Sequence, residues 1–317
     1  MSQTVLTTLG NLRSFTHSLD TNNPFQIYYS RNYHSGNNLV GDVHLDPQLF
    51  IILSGKVDFY LDQQSFHGQD GEIFISNFWE PHAFRISNGT SAFLVVTFSI
   101  FSLGTVSPFS DFDWLLFLKQ PISKRHIVFK GNKKKEILNL AWKLVELTEK
   151  KPSGYLSMQW LLVHEMMFLI NSKYISTAAK SVSRGSELPI LPVLKQIRQN
   201  PCCNISLNEA AVMCSMSRSA FCQVFKKIMN ESFSHFSMRS RIGYSCILLR
   251  SQNFTIKEVS DQCGFKNTAH FYHVFRKIQK CTPLEFTRKT GNPEIKGNLY
   301  QYIFDRKSIC SCLKISE

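Results

Sequence analysis

A stretch of the chain is used twice. SLNEAAVMCSMSRSAFCQVFKKI begins at Ser206 and TIKEVSDQCGFKNTAHFYHVFRKI at Thr255. The offset is 49 through Cys214/Cys263 and 50 from Phe221/Phe271, because the second copy has one extra residue in its turn region. Glu209/Glu258, Val224/Val274, Phe225/Phe275, Lys227/Lys277 and Ile228/Ile278 also match. A repeat that keeps its apolar pattern is one supersecondary unit built twice. Each copy reads as a helix, a turn and a longer helix. Ser206 with Glu209, and Thr255 with Glu258, have the spacing of a capping box, in which side chain and backbone satisfy each other at a helix start. Gly264 supplies the second turn, whereas Ser215 stands in the first and fits it less well. Phe221, Val224, Phe225 and Ile228, with Phe271, Val274, Phe275 and Ile278, are spaced by 3, 4 and 7 and share one helix face.

The opposite face carries the chemistry. In the first copy it presents Ser219, Cys222, Gln223 and Lys226, with Ser217 and Arg218 at the helix start. In the second it presents Ala269, Tyr272, His273 and Arg276, with Lys266, Asn267 and Thr268 at the start. Gln and Arg can pair with adenine and guanine edges, and a helix fits the major groove of duplex DNA. Lys and the free amides of a helix start hold phosphates. This is the logic of a helix-turn-helix. His270 and His273 lack further ligands at zinc spacing; His273 is expected to contact a base or phosphate, and His270 to pack at the helix start.

Charge follows the same division. The whole chain carries net +13, but residues 1–124 carry 6 basic and 10 acidic groups, while residues 185–289 carry 15 and 6. A mildly acidic front joined to a basic back points to a polyanion partner for the back half. All nine cysteines lie at or beyond Cys202 and form neither a disulfide ladder nor a paired zinc frame, Cys310 and Cys312 included. Free thiols suit the cytosol, and the N-terminus lacks the basic start and apolar core of a signal peptide. The long uncharged run, Ile86 to Ser110, is broken by Ser, Asn, Gly, Thr and Pro; it fits strands and not a membrane span.

Residues 188–289 resemble the DNA-binding domain of AraC/XylS-type transcription regulators. The resemblance rests on IKEVSDQCGF, HFYHVFRKI and TPLEF in the second unit, and on the Ser217-to-Lys227 helix followed by FSHFSMRSRIGYSCILL in the first. It implies two helix-turn-helix units bridged by a long helix, here from about Phe233 to Ser251 with Arg241 at a position usually held by Arg. The two units would enter successive major grooves on one DNA face. By position, Ser219, Cys222 and Gln223 would face bases in unit one, and Ala269 and His273 in unit two. Several of these are small or neutral, so unit one is expected to read sequence modestly, with DNA shape and phosphate contacts contributing the rest.

Ahead of this domain, residues 24–100 hold seven or eight short runs rich in β-branched and aromatic residues between turns, which implies a sandwich or small barrel. LFIILSGKVDFYLDQQSFHGQDGEIFISNFWEPHAFRI resembles the cupin-like sensor domain found in many such regulators. Metal-using cupins carry His-x-His, a later Glu and a further His; the corresponding places here read Asp42, His44, Gln48 and His82, departing at two of four, and no metal or other cofactor is expected. His44, Phe50, Ile52, Phe59, Phe74 and His82 either line an effector pocket or fill the interior.

Helical periodicity begins at Lys133. Ile137, Leu140, Ala141, Leu144 and Val145 form one stripe ending near Lys151-Pro152. Leu156, Trp160, Val163, Met167 and Ile170 form a second ending near Lys173. Surplus apolar Leu161, Leu162 and Met166 leave room for a subunit interface. Ile175 to Glu187 reads as a linker.

The expected architecture is therefore an α+β multidomain chain: a cupin-like β-barrel for sensing or oligomerisation at 1–124, a helical pair and linker at 125–187, an all-α domain with two helix-turn-helix units at 188–289, and a tail at 290–317. The expected function is a cytoplasmic, non-enzymatic transcription regulator. Its expected partners are promoter DNA, RNA polymerase (which the resemblance favours, with activation over repression), a small-molecule effector and a second copy of itself, without a membrane. The alternative is a metal-dependent cupin enzyme with an accessory nucleic-acid-binding domain. A repair protein of the kind that shares this DNA-binding unit would need a cysteine nucleophile in the front half, and none precedes Cys202.

Overall fold

The computed structural model describes residues 19, 23–35, 40–42, 44–61, 64–86, 89–100, 112–175, 189–229 and 231–290. The expected linker beyond Ile175 and the expected tail beyond Thr290 lie outside them, as do Cys310 and Cys312.

The strands are β1 (Phe25–Tyr33), β2 (Val40–Asp42), β3 (Gln48–Ser54), β4 (Lys56–Leu61), β5 (Gln64–Gln69), β6 (Ile73–Ser76), β7 (His82–Arg85), β8 (Ser91–Phe98) and β9 (His126–Ile127). They make two antiparallel sheets, one ordered β1-β8-β3-β6-β9 and the other β2-β7-β4-β5. The expected barrel thus takes the form of two facing sheets, and β9 carries the larger one on to Ile127.

Alternation explains the layering. Phe50, Ile52, Phe74, Phe93 and Val95 leave the larger sheet on one side and meet Val57, Phe59 and Leu61 of the smaller. Leu49, Ile51, Ile73, Ile75, Leu94 and Val96 leave it on the other side and meet the helices. The inner strands β8, β3 and β6 of the larger sheet are therefore buried on both faces, β8 at every residue, while the edge strand β1 has no fully buried residue. That is why the inner strands read as continuous apolar runs.

The helices are α1 (Gly131–Lys150), α2 (Tyr155–Ser172), α3 (Leu191–Gln199), α4 (Leu207–Met213), α5 (Arg218–Met229), α6 (Phe233–Ser251), α7 (Ile256–Gln262), α8 (Thr268–Gln279) and α9 (Pro283–Thr290). All five residues expected on the α1 stripe are buried. The α2 stripe differs. Val163, Met167 and Ile170 are buried, as are Leu162 and Met166, which sequence spacing had left for a subunit contact. Leu156, expected inside, is exposed along with Met158, Leu161 and Phe168. Apolar residues surround this helix, so periodicity alone could not assign its inner face.

The sheet domain rests on the C-terminal helices through the turn between β6 and β7. Trp79 is held there at φ 48°. A methyl group on Gly243 of α6 would lie 2.3 Å from the Trp79 ring, so only glycine permits this approach. Arg239 of α6 donates to the Phe78 carbonyl at 2.5 Å, and Phe78 meets Phe236 edge to face at 6.3 Å. Arg198 of α3 reaches Asp46, the Leu19 carbonyl and, at 3.3 Å, the Ser99 hydroxyl. Burial pushes the Asp46 carboxyl up to about 6, against the pull of Arg198.

Candidate nucleic-acid interface

Each unit is built from its caps inward. The Ser206 hydroxyl accepts from the Glu209 amide at 3.2 Å while the Ser206 amide donates to the Glu209 carboxylate at 2.7 Å. Thr255 and Glu258 repeat both bonds at the same lengths. These bonds hold the Glu209 and Glu258 carboxyls below the usual glutamate range. Thr282 and Glu285 make a third such box at the start of α9, which the sequence reading did not single out although its spacing is the same.

The turns then set the angle between helices. Gly264 lies at φ +70° and Ser215 at φ 53°, both in the left-handed region. The serine carries strain there that the glycine does not.

Beyond the turns, α5 buries Phe221, Phe225 and Met229, and α8 buries Phe271, Val274, Phe275 and Gln279. Phe225 meets Phe233 at 5.3 Å and Phe236 at 5.5 Å, both on α6; Phe275 meets Phe286 of α9 at 5.6 Å. The bridging helix α6 spans Phe233–Ser251 as the resemblance implied, and touches helices of both units. Arg241 belongs to this framework. Buried within it, the side chain donates to the carbonyls of Cys263 and Gly264 and lies 4.1 Å from the Phe265 ring centre.

With the aromatic faces inside, the other faces are outside. Ser217, Arg218, Ser219, Cys222, Gln223 and Lys226 are all exposed, as are Lys266, Asn267, Ala269, His273 and Arg276; Thr268 and Tyr272 are half-buried. Two of these already have local work. Ser217 accepts from the Ala220 amide at 3.2 Å and Asn267 from the His270 amide at 2.7 Å, so both cap the longer helix of their unit. Lys227 and Lys277, matched in the repeat, are also exposed and extend the basic surface. His270 is exposed with its ring edge-on to Phe265 at 5.7 Å. The arrangement offers two helix faces of donors and cations on one helical framework, each fixed by a cap and an aromatic core.

In the sheet domain, His44, Phe50, Ile52, Phe59, Phe74 and His82 are all buried. They come together, but against one another: Phe59 stacks on Phe74 at 4.4 Å and tilts on Phe50 at 5.0 Å, and His44 meets His82 at 4.9 Å. The Gln48 amide donates to the Thr97 hydroxyl at 3.1 Å and lies 3.3 Å from His44 Nε2. Asp42 lies in β2, where only the backbone is described. Among the described residues, no three His, Cys, Asp or Glu side chains are placed to share a metal ion.

A family model described as a helix-turn-helix domain matches residues 210–289. An uncharacterized HTH-type transcriptional regulator of Bacillus subtilis, YdeC, is 22% identical over 253 residues, covering 77% of this chain and 84% of its own. The xylose operon regulatory protein of Haemophilus influenzae is 30% identical over 97 residues, 31% of this chain but 25% of that one. Among solved structures, unsaturated fatty acid-bound ToxT of Vibrio cholerae superposes with a TM-score of 0.51 at 15% identity, over 86% of this chain and 98% of ToxT. The likeness to ToxT is one of fold: a sheet-rich domain followed by helices. A doubled helix-turn-helix on a bridging helix, a family model over that segment, and relatives named as transcription regulators lead to one statement: the chain carries, at residues 210–289, a helix-turn-helix domain of the kind found in transcription regulators.

Proposed function

We propose that the regulator reads a promoter duplex with α5 and α8 in successive major grooves, under control of its sheet domain. The observation that carries this reading is the division of each helix into a buried phenylalanine face and an exposed donor-and-cation face. Gln223, His273 and Arg276 have the chemistry to meet base edges. Arg218, Lys226 and Lys266 hold phosphates, aided by the amides at the starts of α5 and α8. Ser219, Cys222, Ala269 and Tyr272 sit close against the groove, Thr268 stands at its rim, and Ser217 and Asn267 act through the caps they form. Gln223→Ala and His273→Ala should each weaken specific binding by about 1–3 kcal/mol. Lys226→Ala should weaken all sequences alike and lower the salt slope by about 1. Titrations against target and random duplexes at several salt concentrations check this. Equal losses on both duplexes for all three variants would overturn the assignment of base contacts.

The remaining parts of the reading rest on the front half. ToxT has been seen with an unsaturated fatty acid bound, and the apolar interior around Phe50, Phe59 and Phe74 suits an apolar effector that displaces packed rings. The sequence division at 124, 187 and 289 makes the front part the sensor, with its boundary moved past 124 because β9 carries the sheet on to Ile127. The exposed Met158, Leu161 and Phe168 on α2 support a second copy as their cover. Leu161→Lys should then halve the mass seen in sedimentation, and an unchanged mass contradicts the pairing. Activation through RNA polymerase, in the cytoplasm and with no catalytic step, completes the proposal. No helix among the described residues is long and apolar enough to cross a membrane.

A further inference from the structure

Seven cysteines lie among the described residues, all with free thiols. Two of them meet across the DNA-binding domain. Cys202 stands in the turn that leads from α3 into unit one, and Cys263 ends α7 in the turn of unit two. The Cys202 carbonyl lies only 3.0 Å from where a methyl group on Gly264 would sit, which brings the two turns into backbone contact. The neighbouring Cys202 side chain, together with burial, holds the Cys263 thiol well above the usual cysteine range. Cys202 is half-buried and Cys263 fully buried, so a small oxidant reaches Cys202 first and Cys263 lies behind it. Arg241 donates to the Cys263 carbonyl at 2.7 Å and places its positive charge beside both sulfurs. Cys214 holds the matching place in unit one, but its neighbour is the Val193 backbone and not a second thiol.

From this juxtaposition we propose that Cys202 and Cys263 form a peroxide-oxidisable dithiol that ties the lead-in of unit one to the turn of unit two. The Cys202 sulfur attacks one oxygen of hydrogen peroxide, the O–O bond breaks, and Cys202 becomes a sulfenic acid as one water leaves. The Cys263 sulfur then displaces the hydroxyl group, the S–S bond forms, and a second water carries away the thiol proton. Two thiols lose two electrons and the peroxide gains them. A zinc site is the competing use of neighbouring thiols, but no third ligand joins these two among the described residues.

The test uses the full reduced chain, treated with hydrogen peroxide, alkylated, and digested without reductant before mass spectrometry. The expected result is a peptide joining Cys202 to Cys263, with a thermal midpoint that rises on oxidation and falls again with dithiothreitol. Cys202→Ser should abolish both the linked peptide and the shift. The Cys202 site is half-exposed, so this variant is expected to fold, and the wild-type map reads the linkage in any case. Recovery of Cys202 and Cys263 both alkylated after treatment, or Cys202 linked to Cys203, would overturn the proposal.

Discussion

Replacing Arg125 with methionine is expected to lower unfolding free energy by about 3–5 kcal/mol at neutral pH. Arg125 is 4% exposed and Glu80 8%. Their fork-to-fork contact has lengths of 2.5 and 2.6 Å, and Arg125 also donates to the Ile75 carbonyl at 3.3 Å. Glu80 in turn accepts from the Asn77 amide at 2.9 Å, which shapes the turn bearing Phe78 and Trp79. Methionine would fill the space but leave a buried carboxylate without its cation. Burial alone would raise the Glu80 carboxyl; Arg125, with the Asn77 amide and Arg239, holds it below the usual glutamate range.

The pH dependence follows from that direction. In the native protein Glu80 adds stability that is present above its unfolded pKa and is lost as pH falls through its folded one. In the variant the unpaired carboxyl titrates above its unfolded value, so acid stabilises the fold as far as this group is concerned. The gap between native and variant should therefore narrow as pH falls toward the ordinary glutamate range, and Glu80→Gln added to Arg125→Met should recover part of the loss. Urea unfolding at several pH values measures both effects. A loss below about 1 kcal/mol at neutral pH, typical of exposed pairs, would contradict this role for the pair.

Phe225→Ala should cost about 3–5 kcal/mol, the range for deleting a ring from a packed core. Phe225 is fully buried and touches Phe221 at 5.5 Å as well as Phe233 and Phe236. Phe236 carries the contact on to Phe78 in the sheet domain. The cavity would therefore loosen unit one, its bridge and the domain contact together. Amide exchange should show protection lost first in α4 and α5 and retained in α8, whose core is centred on Phe275. Uniform loss across both units would mean that they are not separately built.

The parts of the fold that could be read beforehand are those set by short spacing. Ser206 with Glu209, Thr255 with Glu258, the α1 stripe and the faces of α5 and α8 each depend on residues within a few turns of helix. They are placed where spacing put them, except that Val224, Ile228 and Ile278, read as part of the buried faces, are only half-buried. Sequence alone did not show Asp46 meeting Arg198, Trp79 meeting Gly243, or Glu80 meeting Arg125. These partners are far apart along the chain, and a lone polar residue in an apolar run carries no sign of what it will face. Met229 was missed because it lies one residue beyond the repeat, and β9 because two residues show no period. The capping duties of Ser217 and Asn267 were hidden by their place at the helix start, where a phosphate contact and a cap call for the same side chain.

The most direct test of the central claim is a footprint of the full chain on a duplex selected from random sequence. Two patches on one face of the DNA, about one helical turn apart, are predicted, with Gln223→Ala erasing base preference in one and His273→Ala in the other. A single patch, or two patches whose preferences both variants leave intact, would contradict reading by α5 and α8.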